Sequence, residues 1–201
     1  MKALFKAIRE SDFEKVKAFI DKDSQLVHAT AKEPPKKDDG QTPLQVSLKT
    51  ANFEISAFLL DHGADPNFME TSAVNSWNIP AIQDAIRAAI YSCSFLLARR
   101  DPDVRREKAA QAFAILQKMM EKGANLQLKD SYGNGCMERA VADASQLTVE
   151  EDAFDEINDI KRVFEYLVSQ GGDLQEQQRH NGRLGDWYGP RPVGRYFRHL
   201  L

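Results

Sequence analysis

The chain is short of the residues on which most enzyme and metal sites are built. Its two cysteines, Cys93 and Cys136, stand 43 positions apart with no C-x-x-C and no histidine beside them. This spacing argues for two buried thiols in a reducing compartment and against a metal or redox role. The four histidines, His28, His62, His180 and His199, show neither H-x-x-x-H nor Cys/His spacing, so no ligand or catalytic role is assigned to them. No apolar run approaches the roughly 20 residues that span a bilayer. The opening Met1-Lys2-Ala3-Leu4-Phe5-Lys6 turns amphipathic at once, and export by a signal peptide is not expected. The formal charge of -3 provides no overall basic field for nucleic acid.

Apparent chemical motifs fare no better. Gly133-Asn134-Gly135 begins like a phosphate loop but has no third glycine and no apolar strand before it. From Asp130 the same segment starts like a calcium loop, yet Tyr132 replaces an oxygen ligand and Val141 falls where a bidentate glutamate belongs. The acidic run Glu150, Glu151, Asp152, Asp155, Glu156 and Asp159 fits the first turns of a helix, with the remaining carboxylates facing water; contact with a basic partner is the alternative. The chain is read as non-enzymatic, with no cofactor and no metal.

What the chain does have is 42% hydrophobic and 28% charged residues, enough apolar material for a core in one domain or two small ones. The most regular stretch runs from Gly40 to Asn67. Thr42 is placed to cap a helix whose first turn tolerates Pro43, and Gly63 follows Phe58-Leu59-Leu60 where a helix ends in a left-handed residue. Thr50-Ala51-Asn52 separates the two helices of this unit. Its apolar spacing recurs. In the first helices, Leu4, Ala7, Ile8 correspond to Leu44, Ser47, Leu48, to Ile82, Ala85, Ile86 and to Met137, Ala140, Val141. In the second helices the sets are Val16, Phe19, Ile20; Ser56, Leu59, Leu60; Leu116, Met119, Met120 before Gly123; and Phe164, Leu167, Val168 before Gly171. Ser56 breaks the pattern, with Ile55 beside it as partial compensation.

Gly40, Thr42-Pro43-Leu44 and Gly63-Ala64-Asp65…Asn67 resemble the ankyrin repeat, with a period of about 33 residues and a T-P-L-H-x-A signature in which Gln45 here replaces histidine. Gly123-Ala124-Asn125 and Asp130-Ser131-Tyr132-Gly133 resemble the same family. The intervals Leu4–Leu44, Leu44–Ile82 and Ile82–Met137 are 40, 38 and 55 residues, so every interval carries extra residues. Ser24–Asp39 and Met69–Asn78 read as enlarged fingers between units. The later insertions read as helical: Ile82 to Leu97 as a lengthened first helix ended by Asp101-Pro102-Asp103, Arg105–Lys122 as its partner, and Thr148-Val149-Glu150-Glu151 as a capping box opening the last helix. Ile90, Cys93, Leu97, Phe113, Phe154 and Ile157 would pack these helices into a lobe opposite the fingers.

The resemblance implies an all-α ankyrin-like solenoid of stacked helix-turn-helix units with hairpin loops and long helical insertions in units three and four. The units fall at about 1–30, 37–69, 78–128 and 130–174. Residues 175–201 form a basic aromatic tail, with five arginines against Glu176 and Asp186 and with Trp187, Tyr188, Tyr196 and Phe197 interleaved. This tail reads either as a cap on the last unit or as a surface for an acidic partner or nucleic acid. The family's binding positions, transferred by register, are Arg9, Glu10, Asp38, Asp39, Gln41, Lys49, Thr50, Arg87, Ser131, Tyr132, Asn134 and Asp143, all expected to be exposed. The implied function is protein binding through hairpin tips and concave helix face. A short array with irregular insertions is similar to bacterial ankyrin proteins that act as inhibitors, adaptors or effectors, and a cytoplasmic monomer is expected.

Overall fold

In a computed structural model, which describes residues 1–94, 101–147, 153–178 and 182–201, Thr42 caps a helix that begins at Pro43. The Thr42 hydroxyl accepts from the Gln45 amide at 3.3 Å and the Gln45 side chain accepts from the Thr42 amide at 3.2 Å, a reciprocal capping box. Among the described residues four helical pairs follow in order: α1 (Lys2–Arg9) with α2 (Phe13–Lys22), α3 (Pro43–Lys49) with α4 (Phe53–Asp61), α5 (Ala81–Ser92) with α6 (Pro102–Glu121), and α7 (Cys136–Ser145) with α8 (Phe154–Ser169). First helices pack on first helices, α1 on α3, α3 on α5 and α5 on α7, while α2 packs on α4 and α4 on α6. This is an all-α, ankyrin-like stack.

The recurring stripes are the core. Every first-helix position of the repeat pattern is buried, and so are Val16, Ile20, Leu59, Leu60, Leu116, Met119, Phe164 and Leu167. Ser56 is buried too. Its hydroxyl lies 2.8 Å from that of Ser47, so two polar groups satisfy each other inside the stack while Ile55 fills the neighbouring apolar place. The closing glycines Gly63, Gly123 and Gly171 have φ of 87°, 88° and 90°, the left-handed geometry that only glycine adopts without strain. After each of them the next amide donates back to the carbonyl of Leu59, Met119 or Leu167. Successive closing turns are also tied: the Asn67 side chain donates to the Gly123 carbonyl at 2.9 Å and accepts from the Asn125 amide at 2.8 Å.

The fingers stack edge to edge. In the first, the Ala31 amide donates to Gln41 and the Gly40 amide to Ala31. The Thr71 amide of the second finger donates to the Gly40 carbonyl, and there the chains approach so closely that a Cβ on residue 40 would lie 2.1 Å from the Ser72 nitrogen. The Ser131 amide of the third donates to Asn78 at 2.9 Å.

Three helical expectations need correction. The helix from Ile82 stops at Ser92, not near Leu97, which lies outside the described residues. Asp101-Pro102 does not end that helix but opens the next: the Asp101 carboxylate accepts from the amides of Asp103 and Val104, and Pro102 takes the first helical position. Phe154 heads α8 at 69% exposure, and the stripe is buried only from Ile157 onward. The box at Thr148–Glu151, like Asp152, lies outside the described residues. Nor is the acidic run all solvated. Glu156 is buried, and Asp159 accepts from the buried Arg105 guanidinium at 2.5 Å. Arg105 also donates to the Cys93 carbonyl at the end of α5, so it joins α5, α6 and α8.

In the tail, a two-residue ribbon, β1 (Gln177–Gln178) with β2 (Gly182–Arg183), leads into α9 (Leu184–Tyr188) and two short 3-10 turns. Leu184, Val193, Tyr196 and Phe197 are buried, and the 3-10 turn Pro192–Tyr196 packs on α7 and α8. The Phe197 ring sits 5.2 Å from Phe164.

Candidate binding groove

Side chains along the first helices and finger bases form two ionic networks that cross from one helical pair to the next. In the first, Arg9 of α1 donates to Asp38 at 2.5 Å. Lys49 of α3 stands 4.0 Å from the same carboxylate and donates to Gln41 Oε1 and the Lys37 carbonyl at 2.8 and 2.7 Å. In the second, Arg87 of α5 makes a two-pronged contact with Asp143 of α7 at 3.0 and 3.2 Å, joined by Arg139 at 3.4 Å. The Trp77 ring lies 5.1 Å from the Arg87 guanidinium and 4.7 Å from that of Arg139.

These networks revise three expected exposures. Asp38, Gln41 and Asp143 are buried, because each is covered by the cation or donor that it holds. The others sit closer to expectation. Glu10 is exposed and 3.7 Å from Lys6. Lys49 is exposed at its residue surface, while Arg9, Arg87, Asp39, Thr50 and Asn134 are half-buried. Asp39 accepts from Ser72 and from the Ala73 amide, and Thr50 donates to the Val46 carbonyl. Tyr132 is exposed at a finger tip beside Ser131, its hydroxyl 3.0 Å from Ser76.

Asp130 explains the Gly133-Asn134-Gly135 segment. Its carboxylate accepts from the Tyr132 and Asn134 amides, the Asn134 side chain and Trp77 Nε1, all within 2.9 Å. Burial alone would raise its pKa, but those donors hold it below the ordinary carboxylate value. The carboxylate is the hub of a finger.

Between the second finger and helices α3 and α5 lies a groove of two adjoining lobes, about 380 and 470 Å³. Lys49, Asp84 and Arg87 line both lobes; Glu70 and Trp77 line the first, and Phe53, Tyr91 and Lys108 the second. Asp84 is 2% exposed, and neither carboxylate oxygen has a hydrogen-bond partner among the described residues. Desolvation pushes its pKa up to about 7, against the opposing pull of Lys49 and Arg87. The Gln45 amide lies near enough to favour the ionised form slightly, but its nitrogen donates to the Ile79 carbonyl at 3.2 Å. Burial likewise raises the pKa of Glu70. The two thiols lie away from these lobes, free and buried; desolvation raises both, Cys136 to about 12.

Residues 39–70 match the family model of the ankyrin repeat. This segment is similar to an ankyrin repeat. It spans the first finger's return, α3, α4 and the closing turn at Gly63, and the flanking helical pairs continue the same stacked fold. No curated protein matches the chain. Ankyrin repeats are, as a family, protein–protein interaction modules, generally without catalysis. Among the described residues no helix is long and apolar enough to cross a membrane.

Sequence reasoning missed Asp84, Glu70, Lys36, Lys37 and Lys108 as groove residues. Asp84 sits between Ile82 and Ala85, where a charged residue reads as surface. Only the assembled groove, with α3 and the second finger brought against α5, encloses it.

Proposed function

We propose that the chain is a non-enzymatic protein-binding module, an inhibitor or adaptor working as a cytoplasmic monomer, that holds its partner with finger tips and concave helix face. The observation that carries this reading is the groove itself: a cleft lined from two successive helical pairs and the fingers beside them, with Tyr132 exposed on the next finger. Aromatic and cationic side chains grouped in this way supply much of the energy of protein interfaces. The finer assignment, inhibitor or adaptor, follows the resemblance drawn from the sequence. The tail gains less support as a nucleic-acid surface, since two of its four aromatics, Tyr196 and Phe197, are buried inside the cap and cannot stack on bases.

Affinity capture from a lysate, repeated with Tyr132→Ala and Lys49→Glu, tests the assignment. A stoichiometric partner that is lost from both variants, while their circular dichroism remains that of the folded chain, is the expected result. A partner retained by both variants overturns the concave-face assignment.

A further inference from the structure

The groove differs in charge from the rest of the molecule. The chain as a whole carries -3, whereas the two lobes are lined by Lys36, Lys37, Lys49, Arg87 and Lys108 against Glu70 and Asp84. Lys49 and Arg87 are committed to the networks described above. The ammonium groups of Lys36, Lys37 and Lys108 make no ion pair among the described residues. The two acids beneath them are both buried, and burial favours their neutral forms. Asp84 is the anomaly, because a buried carboxyl without a hydrogen bond costs free energy until something pairs with it. A cation approaching it meets the like charges of Lys49 and Arg87, which line both lobes with it. An anion meets attraction at the rim and, at the floor, an O–H that can donate.

We propose that this groove, taken as the partner site of the preceding section, receives an acidic segment of the partner protein, whose carboxylates meet Lys36, Lys37 and Lys108 and accept from the unpartnered Asp84. The match is one of charge and hydrogen-bond polarity: lysines without ion-pair partners among the described residues line a cleft of two adjoining lobes, about 380 and 470 Å³.

Trp77 lines the first lobe and serves as the reporter in the full chain carrying Trp187→Phe, which removes the other tryptophan. The protein is titrated at pH 6 with hexaglutamate, and with hexaglutamine, hexalysine and a single-stranded oligonucleotide as comparators. Hexaglutamate is expected to bind in a salt-sensitive manner, and the double variant Lys36→Glu/Lys37→Glu to weaken it by about tenfold. Lys161→Glu, on α8, should leave it unchanged. Asp84→Leu should cost about fivefold, and Asp84→Asn, which keeps a donor, less than about twofold. Absent binding, equal binding of hexaglutamine or hexalysine, tighter binding of the oligonucleotide, or indifference to the double variant overturns the proposal. The two readings fail separately. A captured partner that cross-links to the groove through a neutral or basic segment leaves the protein-binding reading standing and removes this one. Hexaglutamate binding with no partner on the concave face does the reverse.

Discussion

Asp84 and Gln45 show how single residues carry the junction between α3 and α5. Gln45 completes the capping box of its own helix and donates to the Ile79 carbonyl of the next finger, so one side chain satisfies groups in two successive units. An amide has both a donor and an acceptor, which is why glutamine serves where the family pattern has histidine. Asp84 is the opposite case, a buried group that stays unsatisfied. Its folded pKa of about 7 lies above the ordinary aspartate value of 3.8, so its contribution to stability is full below the unfolded value and is lost as pH rises through 7. A shift of this size corresponds to at most about 4 kcal/mol once the group is ionised. Asp84→Asn keeps the shape without the charge and is expected to raise the urea midpoint much more at pH 8.5 than at pH 5. Equal gains at the two pH values would show that ionisation of Asp84 is not the destabilising term.

At the scale of elements, helix existence was legible because apolar spacing repeats, and helix ends were legible wherever a specific cap stood in the sequence. Thr42-Pro43, Gly63, Gly123 and Gly171 all act as their chemistry requires. Asp101-Pro102 was misjudged because proline both ends and begins helices, and only the amides received by Asp101 decide between the two. The pairing of polar side chains was not legible. Asp38 finds Arg9 from 29 positions away and Asp143 finds Arg87 from 56, separations over which sequence offers no rule, so residues that looked like exposed contacts are instead buried between units. Arg105 belongs to the same class. Cutting it back to alanine removes the donor to Cys93 at the end of α5 and strands Asp159 of α8. Arg105→Ala is expected to cost about 3 kcal/mol, read as a lower urea midpoint. An unchanged midpoint would mean that desolvating the arginine cancels what its contacts contribute.

For the whole molecule, a stack of units exposes an apolar face at its end, and the tail covers that face here with Leu184, Val193, Tyr196 and Phe197. Removing residues 184–201 is therefore expected to loosen α7 and α8 first, with hydrogen exchange rising there before it rises in α1 to α4. Uniform loss of protection along the chain would show instead that the stack unfolds as one unit. The charge pattern of the tail was visible in the sequence, but whether its aromatic residues faced inward depended on the last helical pair, which only the assembled stack displays. The contact at Gly40 has a further meaning at this scale. Its missing side chain lets two finger backbones touch, and any substituent there would act as a wedge, opening the spacing between fingers and with it the mouth of the cleft they border. One hydrogen atom in place of a methyl group thus sets the gauge between two fingers, and a residue outside the lining of the cleft governs how wide that cleft stands.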